Sequence, residues 1–164
     1  MPLPSIDPAN YPSQLAEKVS QFKLAFAPFA IPEPEVFPSA PEHYRLRAEF
    51  RIWHQGDDIH YAMFDPENPK QPVMVEHFPM AAESICALMP RLLERLRVSQ
   101  TLRGGLFQAD FLATLSGELM VTLIYHRQLG SGWELAARDL AAALNIQVIG
   151  RSRGQKVVLD RDWL

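Results

Sequence analysis

The sequence predicts an α+β fold, a mainly antiparallel sheet of hairpins packed by two or three helices. Three observations carry this. Residues 44–54, YRLRAEFRIWH, alternate between apolar and polar side chains, the period of a half-buried strand. Residues 81–98 repeat apolar side chains at helical spacing through Ile85, Leu88, Met89, Leu92 and Leu96. The connections between strand-like segments are hairpin-sized, which favours antiparallel pairing with helices covering a face.

In chain order, residues 14–27 read as an amphipathic helix with Leu15, Val19, Phe22 and Phe26 as its stripe. Pro28, Pro32, Pro34, Pro38 and Pro41 then forbid regular structure and make a stiff, extended connector. The strand at 44–54 should place Tyr44, Leu46, Ala48, Phe50 and Ile52 on one face and Arg45, Arg47, Glu49, Arg51 and Trp53 on the other. Gln55 to Asp58 form a hairpin turn, followed by strands at 59–64 and 73–78. The 81–98 helix contains Pro90, which should kink or split it. Gly104-Gly105 break the chain before strands 107–115 and 118–126, joined by Ser116-Gly117. Ser131 can cap a helix over 132–144 that ends at Asn145. A last hairpin spans 147–151 and 156–160. The expected division is an N-terminal helix and Pro-rich connector over 1–43 and an antiparallel α+β domain over 44–164.

Composition excludes several classes of function. The 164 residues suit one domain with a real core. No apolar run reaches membrane-span length, and Met1 to Ser13 lack the basic start and apolar block of a secretory signal. Cys86 stands alone, so no intramolecular disulfide, cysteine-based zinc site or iron–sulfur cluster can be built. A reducing, cytoplasmic setting follows as the simplest expectation. Cys86 lies beside the helical stripe with no activating neighbour in view, and reads as a packing residue. The five histidines show no metal spacing, although His54 and His60 flank the first turn and could face each other. Asp57, Asp58 and Asp65 read as turn formers. Gly130-Ser131-Gly132 lacks the third glycine of a dinucleotide fingerprint, Leu135 standing there instead, and reads as turn and cap.

Two constellations point toward RNA. The net charge of −3 argues against a broadly basic nucleic-acid domain. Yet arginines outnumber lysines, and arginine gives bidentate phosphate contacts and stacks on bases. Arg45, Arg47 and Arg51 share a strand face with Trp53, close enough to track a phosphate backbone beside a stacking ring. The same pattern fits a solvent-facing strand on which Glu49 neutralises its neighbours. In the second, a two-residue loop at Ser116-Gly117 pairs Leu115 with Glu118 and sets Phe107 opposite His126, a base-stacking arrangement or an ordinary cross-strand pair. One β-bulge would destroy that register. Both faces of this hairpin are rich in apolar residues, so the sequence also admits a protein-interaction domain that docks a separate catalytic subunit.

The runs YPSQLAEKVSQFKLAFAPF, PEVFPSAPEHYRLRAEFRIWHQGDD, LFQADFLATLSGELMVTLIYH and VIGRSRGQKVVLD closely resemble, in this order, the opening of the bacterial tRNA (uracil-5-)-methyltransferases. The resemblance implies an enzyme that moves a methyl group from S-adenosylmethionine to carbon 5 of a T-loop uridine, in tRNA and in transfer-messenger RNA. A cysteine attacks carbon 6 of the flipped base and a glutamate removes the carbon-5 proton. It also implies that this portion is an antiparallel α+β domain that binds the T-arm. Arg51 would then be an RNA-contacting arginine, Phe107 the aromatic that stacks within the T-loop, and His126 the imidazole beside it. The chain shows no Ser-Cys-Asn-Pro nucleophile motif and no glycine-rich cofactor loop, and Cys86 matches neither. The expectation is a fragment or truncation that holds no catalytic residue, no S-adenosylmethionine and no metal of its own.

Overall fold

The computed structural model describes residues 6–164, so the first five residues of the Pro-rich opening lie outside it. A seven-stranded sheet organises the chain, with strand order β3-β2-β1-β4-β5-β6-β7. Its members are β1 (Arg47–Gln55), β2 (Asp58–Asp65), β3 (Asn68–Met74), β4 (Leu106–Ala113), β5 (Leu119–Tyr125), β6 (Gln147–Ser152) and β7 (Gln155–Val158). Every neighbouring pair is antiparallel except β5–β6. That pair is parallel because helix α4 (Ser131–Leu144) carries the chain back between them.

One face of the sheet packs on α2 (Glu83–Val98), the short α3 (Gln100–Arg103) and α4. The helices turn inward the residues their spacing dictates: Ile85, Leu88, Met89, Leu92 and Leu96 from α2, and Trp133, Ala137, Leu140 and Leu144 from α4. Phe50, Tyr61, Phe78 and Phe111 form an aromatic cluster beneath α2, with Phe50 at 5.0–6.0 Å from the other three rings. The Tyr61 hydroxyl donates to the Met89 carbonyl at 2.9 Å, so its polar tip is satisfied inside the core. Burial raises its pKa above the ordinary tyrosine value, against the opposing effect of the Arg97 charge.

Several expectations change in detail. Helix α2 runs unbroken through Pro90, whose exposed ring points away from the core and removes one backbone bond, to the carbonyl of Cys86. Strand β1 begins at Arg47, so Arg45 lies outside it, in a parallel bridge to Ala81. Strand β3 covers 68–74 rather than 73–78 and includes Pro69 and Pro72, tolerable on an edge strand. Ser131 does not cap α4; Gly130 holds the N-cap position without a side-chain bond. Asn145 ends the helix in the left-handed region at φ 55°, as the sequence predicts. Helix α1 (Tyr11–Phe26) forms where expected but buries none of its residues.

The turn chemistry is local. Gly56 at φ +62° sits first in the two-residue β1–β2 turn. Asp58 accepts from the Ile59 amide and pairs with Arg97, and Asp65 accepts from the Glu67 amide. His54 and His60 do not face each other: His54 opposes Ile59 and bonds the Leu106 carbonyl, while His60 opposes Trp53. Cys86 lies half-buried with its thiol against the carbonyls of Phe78 and Ala81, and burial raises its pKa. The structure also brings His43 to 3.9 Å from the thiol, a neighbour the sequence did not place there, with its Nδ1 held by the Ala81 carbonyl.

Candidate nucleic-acid interface

The face of the sheet away from the helices carries the charged residues. Registered pairs share a face, so one row crosses the sheet as Ala62, Arg51, Gln108, Ile124, Arg151 and Lys156. Glu49 and Asp110 pair in the next row, and Arg47 and Leu112 in the one after. Arg151 and Lys156 were not among the sequence candidates. Only the parallel β5–β6 pairing brings them into line with Arg51, and no local pattern encodes it.

Phe107 reaches this face through an irregularity. Along β4, Leu106, Ala109, Phe111 and Ala113 are buried toward the helices. Uninterrupted alternation would send Phe107 the same way. The β4–β5 register shifts between Leu106 and Gln108, leaving Phe107 as an extra residue, and such a bulge re-aims its side chain. The expected pairing is therefore corrected. The loop closes at Thr114 and Glu118, not Leu115 and Glu118, and Phe107 has no direct partner in the ladder. The two rings meet all the same. The His126 amide donates to the Gly105 carbonyl at 3.1 Å, and the imidazole lies 4.1 Å from the Phe107 ring at 64°.

Arg51 completes the group, its guanidinium carbon 3.8 Å from the Phe107 centroid. It forms no ion pair among the described residues. Arg47 is paired with Glu49 along the same strand. Arg45 lies 6.0 Å from the Tyr44 ring, off the strand and apart from Arg51. Trp53 stands on the open face against Phe64. Much of the remaining arginine is structural: Arg97, Arg103, Arg127 and Arg138 all donate to main-chain carbonyls. The arginine excess in the sequence thus reflects fold-stapling as well as surface charge.

Burial raises the Asp110 pKa, an effect the facing Glu49 reinforces and the Gln108 amide bond, Arg47 and Arg151 oppose. A carboxyl with a raised folded-state pKa favours the fold while protonated, and that contribution is lost as pH rises above the ordinary Asp value of 3.8. Asp110→Asn should therefore raise the melting temperature at about pH 7 and raise it less at about pH 4. Equal shifts at both pH values, measured by differential scanning fluorimetry, would show that the carboxylate is not under strain.

Residues 10–164 match the tRNA (Uracil-5-)-methyltransferase family. The chain belongs to that family. Two relatives described as tRNA/tmRNA (uracil-C(5))-methyltransferase, from Aromatoleum aromaticum and Dechloromonas aromatica, are 71% and 66% identical over the whole chain. The same description is carried by a relative from Azotobacter vinelandii, 50% identical over the same length. This chain spans 45% of the length of each. In fold it resembles the crystal structure of Pyrococcus abyssi tRNA (uracil-54, C5)-methyltransferase in complex with S-adenosyl-L-homocysteine. The TM-score is 0.52 at 16% identity, covering 87% of this chain and 35% of that one.

Gly130-Ser131-Gly132 leads from β5 into α4 as turn and helix start, and a Cβ on either glycine would meet nothing within 4 Å. The Gln155 amide bonds both the Leu129 amide and its carbonyl, at 2.9 and 2.7 Å, and the Trp133 indole lies over Gly150. Among the described residues no cluster of His, Cys, Asp and Glu could hold a metal, and no helix is long and apolar enough to cross a membrane.

Proposed function

We propose that this chain is the RNA-recognising portion of a tRNA/tmRNA (uracil-C5)-methyltransferase, and that residues 44–164 grip the T-arm through the open face of the sheet. The observation that carries the reading is the stack of Arg51, Phe107 and His126, built by a bulge on a face whose main row continues to Arg151 and Lys156. A base that leaves its own stack can lie on the outer plane of the Arg51 guanidinium, which Phe107 supports from below. His126 meets the Phe107 ring near edge-on and limits its rotation. Arg151, Arg47 and, from outside β1, Arg45 supply charge for the flanking phosphates.

The whole protein, in this reading, works in the cytoplasm. It transfers a methyl group from S-adenosylmethionine to carbon 5 of the T-loop uridine in tRNA, and in the tRNA-like part of transfer-messenger RNA. The nucleophile, the base and the cofactor site belong to sequence that the relatives possess beyond the matched portion. Residues 6–43, a helix and connector, are set apart from this grip. A protein-docking role has support there, because Phe22, Phe26, Phe29 and Phe37 are exposed.

Titration of a fluorescent T-arm stem–loop, followed by anisotropy, tests the grip. With three to four phosphate contacts the slope of log affinity against log salt should be about −3, a roughly 60-fold loss from about 50 to 200 mM salt. No binding at the lower salt, or a flat slope, would remove the RNA reading and leave protein docking.

A further inference from the structure

We infer that Trp53 and Phe64 form a second base-binding subsite on the open face, for an unpaired nucleobase other than the one held at Phe107. The inference deepens the RNA reading of this face and rests on it. Trp53 opposes His60 and Arg51 opposes Ala62 across β1 and β2. Phe64 lies two residues beyond Ala62 and so shares its face. The two rings close across this corner, centroids 6.3 Å apart at 66°. Between them Ala62 is 1% exposed, although it is not part of the main core. The rings close over its methyl group, which is small enough to let them meet there. A groove of about 860 Å³ runs beside it, lined by Trp53, Phe64, Pro69, Arg51, Phe107 and Gln108 among others. Trp53 keeps 36% of its surface exposed in that groove.

The chemistry of the groove fits a nucleotide better than an aliphatic side chain. An edge-to-face aromatic pair offers a flat π surface for stacking. Arg51 stands between the two aromatic groups and is free of ion pairs among the described residues, which suits a phosphate that links the two bases. Gln108 and Glu49 line the same groove and can meet base edges. Phe64 on β2 and Phe107 on β4 are separated by two strand spacings, about 10 Å. Successive nucleotides in a continuous stack advance by only about 3.4 Å. Two neighbours that stay stacked therefore cannot reach both Phe64 and Phe107, whereas two unstacked loop nucleotides can. The pair of subsites selects a loop over a duplex.

The test uses the 164-residue chain and a T-arm stem–loop carrying 2-aminopurine at each loop position in turn. Trp53→Ala and Phe64→Ala should each weaken binding by about 5- to 100-fold. Each should also relieve quenching at a loop position different from the one relieved by Phe107→Ala. Trp53→Phe keeps a ring in place and should stay within about threefold of the parent protein. If Trp53→Ala does not fold, as judged by circular dichroism, Phe64→Leu replaces it with the same expectation. Parent-like affinity in folded Trp53 and Phe64 variants, while Phe107→Ala weakens binding, overturns the second subsite and leaves the T-arm reading intact. Relief at one shared position also overturns it. Failure of the parent protein to bind the hairpin removes both readings together.

Discussion

Trp133→Ala is expected to lower the unfolding free energy by about 3–5 kcal/mol, a large part of the roughly 5–15 kcal/mol that holds a domain of this kind together. Trp133 is 1% exposed and is the largest fully buried side chain. It sits on α4, the helix that joins the two parallel strands, and its ring meets Tyr125 of β5 at 5.8 Å, nearly perpendicular. Its indole also occupies the space above Gly150 on β6. A Cβ placed on that glycine would stand 2.3 Å from the indole and 2.7 Å from Leu129. Ring and glycine are thus two halves of one fit, and the prediction has a second arm. Gly150→Ala should be strongly destabilising in the parent protein, by about 1–3 kcal/mol or more, and nearly harmless once Trp133 is Ala. Urea denaturation of the two single variants and the double variant measures this coupling. Additive losses would show that helix and strand do not meet as described.

Phe107→Ala should weaken T-arm binding by about 5- to 150-fold, the usual range for one stacked base, and leave stability nearly unchanged. The second half follows from the bulge. Phe107 is only half-buried and packs on the open face against Arg51 and His126, outside the main core. Arg51→Ala should weaken binding comparably. The two losses should not add, because removing the ring also removes the support for the guanidinium. Anisotropy titrations of both single variants and the double variant separate these cases. If Phe107→Ala lowers the melting temperature by several degrees and leaves affinity alone, Phe107 is a packing residue and the stack plays no part in recognition.

By itself the sequence determined the period-two pattern of β1, the stripes of α2 and α4, the turn at Gly56 and the left-handed stop at Asn145. Each is written in neighbouring residues, so local sterics and apolar spacing suffice to read it. It also marked Arg51, Trp53, Phe107 and His126 as residues of interest, and the resemblance named their family. What it could not determine was anything that depends on an irregularity or a distant pairing. Counting outward from Ser116-Gly117 brought Phe107 and His126 together through a register the chain does not use. The true cause is one extra residue in β4, which turns a ring of core parity onto the open face. The Arg51 to Lys156 row exists because α4 returns the chain in parallel beside β5, and the Trp53–Phe64 corner exists because Ala62 is small. Arg45 left the group when β1 began at Arg47. A binding face is a sum over strands far apart in the chain, and a one-residue slip in any of them changes which side chains it presents.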